Sequence, residues 1–206
     1  MAIRIGITGG IGSGKSVVSR LLGLMGIPVY DSDTAAKVIL TTNRFLQEQL
    51  SLLAGRNLFP GGILDKEALS SFLFANQENV ARVNEVIHPL VKNDFREWVT
   101  QRTIHPFVGI ESAILIEAGF ESEIDFLVTV CAPRPLRIDR VMKRSGLTRA
   151  VIEQRMLVQL DDAAKCAKAH FVIINDGVTP LLPRLCELRE LLSQKYDYLC
   201  SPKRNS

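Results

Sequence analysis

Short apolar runs alternate with amphipathic stretches along most of the chain. The last amphipathic stretch covers residues 181–198 and predicts a C-terminal helix. The apolar runs predict five β-strands, at residues 3–8, 27–30, 107–111, 124–131 and 171–174. The fourth run is almost continuously apolar, which is typical of a strand buried on both faces of a sheet. Because helical patterns separate the strands, the sequence favours an α/β fold with a doubly wound, five-stranded parallel sheet.

Residues 43–105 lack strand patterns, and their apolar positions recur at helical spacing. We expect helices around residues 45–53, after Asp65 as an N-cap, and over residues 80–87. A break or bend is expected at His88-Pro89, before a further helix, because proline has no N–H to donate. The segment therefore predicts an all-helical insertion, of a size to form a substrate-binding flap, between the second and third strands.

A glycine-rich segment follows the first strand. Gly9-Gly10-Ile11-Gly12-Ser13-Gly14-Lys15-Ser16 matches the phosphate-loop pattern G-x-x-x-x-G-K-[ST], and a helical pattern begins at Val17. Glycines let main-chain N–H groups turn toward a phosphate, and the following helix adds the positive end of its dipole. We expect Lys15 to contact the β- and γ-phosphates and the Ser16 hydroxyl to bind Mg²⁺. The residues expected to contact ATP here are Gly10, Ile11, Gly12, Ser13, Gly14, Lys15, Ser16 and Val17.

Composition and charge indicate a globular protein and not a disordered one. The chain has 206 residues, of which 47% are hydrophobic, and a formal net charge of +3, which is too small by itself to indicate nucleic-acid binding. The four cysteines lack C-x-x-C spacing, so neither a zinc site nor a disulfide framework is predicted. Without a signal-peptide pattern or 18 consecutive apolar residues, we expect a soluble, cytoplasmic protein that binds neither membrane nor nucleic acid.

A helix–break–helix pattern lies between the fourth and fifth strands. Residues 136–144 predict a helix with arginines on one face, and residues 145–147 interrupt it. Thr148 can cap a second helix, which is expected to carry Arg155 and Gln159 one turn apart. Such a unit is typical of a lid that closes over phosphates.

The lid arginines have an alternative explanation, since a run of charge is often a solvated helix face. The phosphate loop in the same chain favours the lid for Arg140 and Arg144. It favours the lid less for Arg137 and Arg149.

Carboxylates follow the predicted second and third strands, at the sheet edge where α/β proteins bind ligands. Asp33 is a candidate base for an acceptor hydroxyl, or a group that only orients it. Asp31 can be a plain turn residue. Glu111 can bind a water molecule of a magnesium ion or be a simple surface carboxylate, and the sequence leaves both open.

Among phosphate-loop proteins, the small-molecule kinases fit best. The chain has no Asn-Lys-x-Asp or Asp-x-x-Gly motif of GTPases and no Leu-Ser-Gly-Gly motif of transporter ATPases. It offers an acceptor segment, a candidate base and an arginine-bearing lid. The rival interpretations are a kinase for another small acceptor, such as a nucleoside monophosphate, and a non-catalytic ATP-binding regulator.

The order of motifs along nearly the whole chain resembles the dephospho-coenzyme A kinases. The likeness covers Thr8–Ser16, Asp31-Ser32-Asp33, residues 62–65, Ile87-His88-Pro89-Leu90, Leu115-Ile116-Glu117, residues 140–144, 155–159 and 172–177. The resemblance implies Mg²⁺- and ATP-dependent phosphorylation of the 3′-hydroxyl of dephospho-coenzyme A (dephospho-CoA), giving coenzyme A (CoA) and ADP. That reaction is the last step of CoA synthesis. A monomer or small homo-oligomer is expected.

The resemblance also implies residue roles. Asp33 would be the catalytic base, with Lys15 and Arg140 acting on the transferred phosphoryl group. Arg144 and Asn175 would contact ATP. The residues implied to contact the acceptor are Thr8, Asp33, Lys37, His88, Leu115 and Glu117.

This chain departs from the family pattern at several positions. The family usually has arginine at the position of Lys37, and lysine lacks the bidentate fork of arginine. Glu111 and Ala113 replace an aspartate and a proline of the family pattern. His170 stands where aspartate is common, and we expect a structural role for it. His88 has two equal interpretations, helix capping or acceptor binding.

These patterns divide the chain into three parts. The nucleotide-binding core is expected to comprise residues 1–33, 106–137 and 168–200. Residues 34–105 are the expected acceptor insertion, and residues 138–167 the expected lid.

Overall fold

Five strands form one sheet in the computed structural model, which describes residues 2–196. Their order across the sheet is β2-β3-β1-β4-β5, and the pairs β1–β3, β1–β4 and β4–β5 are parallel. The strands are β1 Ile3–Thr8, β2 Val29–Asp31, β3 Phe107–Glu111, β4 Phe126–Cys131 and β5 Phe171–Ile174. The predicted α/β class with a five-stranded parallel sheet is thereby confirmed.

Nine α-helices lie within the described residues. Six of them are α1 Lys15–Leu24, α2 Ser32–Thr42, α3 Arg44–Ala54, α4 Lys66–Ala75, α5 Gln77–Thr100 and α6 Arg134–Ser145. The others are α7 Arg149–Leu157, α8 Asp162–Lys168 and α9 Leu181–Lys195. Two short 3₁₀ turns occupy Pro60–Gly62 and Phe120–Glu123.

The chain forms two compact units. Within the described residues, the first comprises residues 2–30 and 99–196, and the second is Asp31–Trp98. The core of the first unit is built from alternate residues of the strands and from α1 and α9, with side chains such as Ile5, Ile7 and Leu22 fully buried. The second unit has its own apolar cluster, which contains Leu46, Leu50, Leu58, Phe59, Ala68 and Val83. No helix in residues 2–196 is long and apolar enough to cross a membrane.

Two strands begin later than predicted, because their first predicted residues belong to the element that precedes the strand. The second strand begins at Val29, not Ile27, because the N–H of Ile27 bonds the Leu22 carbonyl at the end of α1, 2.9 Å away. The fourth strand begins at Phe126 rather than Ile124, which ends the 3₁₀ turn before it. The predicted bounds of β1, β3 and β5 are confirmed.

Of the break or bend predicted at His88-Pro89, the break is wrong, because α5 runs through Pro89 without interruption, and the bend stays a prediction. Proline removes only one intrahelical hydrogen bond. Val83 lies on one side of Pro89 and Val91 and Phe95 on the other, and all three are buried. Burial of apolar side chains along the helix offsets the loss.

The predicted helix–break–helix segment between β4 and β5 also differs from the structure. The interruption predicted at residues 145–147 lies at residues 146–148, since α6 includes Ser145, and Gly146 takes φ of 67°. However, α7 ends at Leu157, so Gln159 lies beyond it, and Thr148 makes no side-chain capping bond. Helix α8 was not predicted from the sequence, although Asp161 caps it by accepting a bond from the Ala164 N–H at 2.7 Å. The C-terminal helix was predicted to run to residue 198; α9 ends at Lys195, and residues 197 and 198 lie outside the described residues.

Candidate phosphate-binding site

The glycine loop joins the end of β1 to the start of α1. Gly9, Gly12 and Gly14 have φ of 147°, 80° and 93°, in the region that residues other than glycine rarely adopt. A Cβ at Gly9 would overlap the Val130 carbonyl oxygen, and one at Gly14 would overlap the Asn175 side chain. The tight curvature of the loop therefore requires glycine for two reasons, conformation and space.

The first turn of α1 is arranged to receive an anion. Gly14 provides no side-chain cap, and the turn contains no acidic residue, so nothing negative opposes the helix dipole there. Ser16 is exposed at the second position of the helix. Lys15 is 9% exposed, and its Nζ lies 3.4 Å from the Gly10 carbonyl oxygen. These residues fit a polyphosphate chain.

Not every amide of the loop is directed at a ligand. The N–H of Ser13 donates to the Gly10 carbonyl at 3.1 Å, and the N–H of Ile11 donates to Gln159 Oε1 at 2.9 Å. Phosphate contacts therefore fall to the other amides of the loop. Val17, also predicted to contact ATP, has an exposed side chain.

Arg137 lies against the loop, although the sequence favoured its neighbours on α6. Its Nε donates to the Ile11 carbonyl at 2.9 Å, its guanidinium occupies the space beside Gly10, and its Nη1 pairs with Asp162. The residue is only 5% exposed. A half-buried pair of opposite charge at this depth could not be predicted from the sequence, because Asp162 is 25 residues away.

Arg140 and Asn175 form a second support. Arg140 donates to the Asn175 main-chain oxygen at 3.0 Å and to its Oδ1 at 3.3 Å. Asn175 Nδ2 in turn donates to the Ser13 carbonyl at 2.8 Å. The adjacent turn is fixed by Asp176, whose pKa is lowered by hydrogen bonds from the Thr179 and Val178 amides. Arg144 is exposed in the last turn of α6.

Three of the residues that the resemblance assigns to the acceptor lie in the first unit. Thr8 and Leu115 are fully buried, so their side chains contribute to packing in this structure. Glu117 accepts a bond from Lys165 Nζ at 2.9 Å and from the Leu160 N–H at 2.8 Å. Their acceptor contacts stay predictions, and for Glu117 the structure adds a clear packing role.

The other acceptor candidates belong to the second unit. Asp31 caps α2, since its Oδ1 accepts the N–H groups of Asp33 and Thr34, each at 3.0 Å. Asp33 is exposed in the first turn of that helix, and Lys37 follows one turn later. Burial lowers the pKa of His88, and the positive charge of Lys92 adds to this, so both favour the neutral imidazole.

Two further residues complete the sequence candidates. Glu111 is the last residue of β3 and is paired in register with Ile7, at the edge of the sheet where β1 enters the loop. His170 accepts the Leu127 N–H on Nδ1 at 2.9 Å and stacks on Phe126. The expected structural role of His170 is confirmed.

The described residues contain no group of three or more His, Cys, Asp or Glu side chains that could hold a metal ion. A magnesium ion bound to a nucleotide does not need such a group. It takes its oxygen ligands mainly from phosphates and water, with one or two from the protein. The exposed Ser16 hydroxyl at the start of α1 fits that requirement.

Comparison with known proteins decides the family. The sequence profile of the dephospho-CoA kinases matches residues 3–180. A dephospho-CoA kinase from Bacteroides fragilis strain YCH46 is 49% identical over 205 residues, which is 100% of both chains. Another from Porphyromonas gingivalis is 40% identical and covers 94% of this chain and 96% of its own. This chain belongs to the dephospho-CoA kinase family.

Solved structures agree with the fold. A crystal structure from Thermus thermophilus has 35% identity and a TM-score of 0.79, and covers 94% of this chain and 97% of its own. Dephospho-CoA kinase from Campylobacter jejuni is 22% identical with a TM-score of 0.65, covers 96% of this chain and 98% of its own, and supports the fold alone. Membership in the family confirms the prediction of a kinase that phosphorylates dephospho-CoA in the last step of CoA synthesis and uses ATP.

Proposed function

We propose that the glycine loop holds the ATP phosphates while Asp33 readies the 3′-hydroxyl of dephospho-CoA for attack on the γ-phosphate. The observation that supports this most strongly is the loop itself, whose glycines bend around the uncapped N-terminus of α1. Phosphoryl transfer needs alignment and charge neutralisation more than covalent help from the protein. The residue roles below follow from that requirement.

Lys15 and Ser16 serve the phosphate side. The ammonium group of Lys15 offsets the charge that develops on the β- and γ-phosphate oxygens. The Ser16 hydroxyl would ligate Mg²⁺, which neutralises further phosphate charge when it is bound. Arg140, one helical turn from Arg137, is the arginine proposed to approach the transferred group, with Arg144 and Asn175 contributing to ATP binding.

Asp33 and the helical unit serve the acceptor. In the proposed mechanism Asp33 accepts the proton of the 3′-hydroxyl as the oxygen attacks, and it orients that hydroxyl beforehand. Asp31 fixes the start of α2, and thereby the backbone that carries Asp33. Lys37 offers a point charge for an anionic group of the acceptor. His88, in its favoured neutral form, can donate or accept a hydrogen bond to the acceptor, and Thr8, Leu115 and Glu117 remain the other proposed contacts.

The proposed division of labour follows the chain. Residues 34–105 are the proposed acceptor domain, and residues 138–167 the proposed lid over the nucleotide. Cys131, Cys166 and Cys186 carry free thiols, and the proposed location is the cytoplasm. The proposed partner is the small-molecule acceptor, and the proposed assembly is a monomer or small homo-oligomer.

The decisive experiment measures CoA formation from ATP, Mg²⁺ and dephospho-CoA, with shikimate and nucleoside monophosphates as competing acceptors. The Asp33→Asn variant is expected to lose turnover by at least 100-fold and to keep the ATP affinity, because the amide cannot accept the proton. Asp31→Asn is the matched control, since asparagine also caps helices well. Near-normal turnover of Asp33→Asn would remove Asp33 from the mechanism, and preference for another acceptor would overturn the proposed substrate.

A further inference from the structure

Ile11, near the tip of the glycine loop, is held at both of its main-chain polar groups by residues from outside the loop. Arg137 of α6 donates to the Ile11 carbonyl, and Gln159, beyond α7, accepts the Ile11 N–H, each at 2.9 Å. The Ile11 side chain packs against a small buried cluster that contains Ile138, Val141 and Ile152. The loop therefore does not depend on its own sequence alone for its shape.

Arg137 is suited to this task by geometry rather than by charge. Its guanidinium is buried and paired with Asp162, so its positive charge is already balanced within the protein. Its planar fork donates to Ile11 from Nε and to Asp162 from Nη1, a fixed spacing of two donor atoms that the single nitrogen of an ammonium group does not reproduce. A Cβ at Gly10 would overlap the same guanidinium, so side chain and loop are in close contact.

We propose that Arg137 and Gln159 are positioning residues for ATP binding. By fixing Ile11, they fix the direction of the amides that follow it in the loop, before the nucleotide arrives. A loop of four glycines in six residues has much conformational freedom to lose on binding a ligand. Holding it in the bound shape removes that cost and raises the affinity for phosphates. The inference rests on the nucleotide site proposed above.

The test compares Arg137→Met with Arg184→Met. Arg184 is a matched control, because it also donates to a carbonyl, that of Val172 at 3.1 and 3.2 Å, and pairs with a carboxylate, Glu187. It lies on α9 against β5, away from the glycine loop. The probe is a non-hydrolysable ATP analogue, titrated calorimetrically into the full-length protein, with thermal unfolding measured in parallel.

We expect Arg137→Met to raise the Kd of the analogue roughly 10-fold or more, the usual worth of a hydrogen bond to a charged group. The KM for dephospho-CoA should change little. Arg184→Met should lower the thermal stability and leave the Kd of the analogue unchanged. Equal effects of the two arginine variants on the Kd would overturn the proposal, since loss of stability alone would then explain both.

Arg137→Lys separates position from charge. If the fork matters, the Arg137→Lys variant binds the ATP analogue as poorly as the Arg137→Met variant does. An affinity of Arg137→Lys near that of the wild type would show that charge suffices and overturn the proposal. Gln159→Met, a change of similar volume at a half-buried site, provides a second, milder variant. If Arg137→Met does not fold, this variant decides, and an unchanged Kd overturns the proposal.

The two proposals can fail separately. Wild-type protein that does not bind the ATP analogue would refute the nucleotide site itself. Wild-type protein that binds it, together with Arg137→Met and Gln159→Met variants that bind it equally well, would refute only the positioning role.

Discussion

The ion pair between Glu117 and Lys165 allows a sharp test of whether Glu117 stabilises the fold or contacts the acceptor. Lys165 is fully buried, and its Nζ lies 2.9 Å from Glu117 Oε1 and 2.6 Å from the Ala113 carbonyl. Glu117 itself is 22% exposed. Replacement of Glu117 by glutamine leaves a buried ammonium group without its anion, while the bond from the Leu160 N–H can persist.

The expected loss in the free energy of unfolding of Glu117→Gln is large, because the remaining ammonium group of Lys165 cannot reach water. Removing one partner of a buried ion pair typically costs about 3–5 kcal/mol, and the retained bond to Ala113 favours the lower end of that range. For a domain of this size, a loss of about 3 kcal/mol lowers the Tm by about 6–12 °C. Lys165→Met should cost less, since water can solvate the carboxylate that is left behind.

The assay is denaturant unfolding of Glu117→Gln, combined with the KM for dephospho-CoA. Glu121→Gln is the control, because Glu121 pairs with Lys168 at 3.0 Å in an exposed position on the same two segments of chain. An exposed pair contributes about 0–1 kcal/mol. Unchanged unfolding of Glu117→Gln together with a raised KM would refute the packing role and place Glu117 at the acceptor.

Two further predictions concern the glycine loop and the Cys131 thiol at the end of β4. Gly12→Ala should abolish binding of the ATP analogue, because at φ of 80° the added Cβ would overlap the Arg137 carbonyl oxygen. Gly146→Ala is the control, since Gly146 has φ of 67° but lies in open space, and this variant should lose only stability. Equal binding of the analogue by both variants would contradict the prediction. Burial, together with the hydrogen bond between the Cys131 and Cys166 thiols, raises the pKa of Cys131 to about 12. Iodoacetamide at pH 8 should therefore alkylate Cys131 roughly a thousandfold more slowly than the exposed Cys186, as followed by peptide mass mapping, since only the thiolate reacts; similar rates would count against the shift.

The strands of the sheet and the phosphate loop could be predicted from the sequence, since both depend on local patterns. Short apolar runs specify β1, β3 and β5, and glycine spacing before Lys15 specifies the loop. The role of Asp65 as the N-cap of α4 could also be predicted from the sequence, because a cap bonds to an amide only three residues away.

Tertiary structure alone decided which polar side chains support the site. Arg137 and Arg140 share one face of α6, but Arg137 bonds Ile11 and Arg140 bonds Asn175, and these partners are 126 and 35 residues away in sequence. The same applies to Lys165, which looks like a surface residue of a polar helix and is fully buried. Pairings of this kind depend on how the elements pack, because a charge enters the interior only where a distant partner balances it.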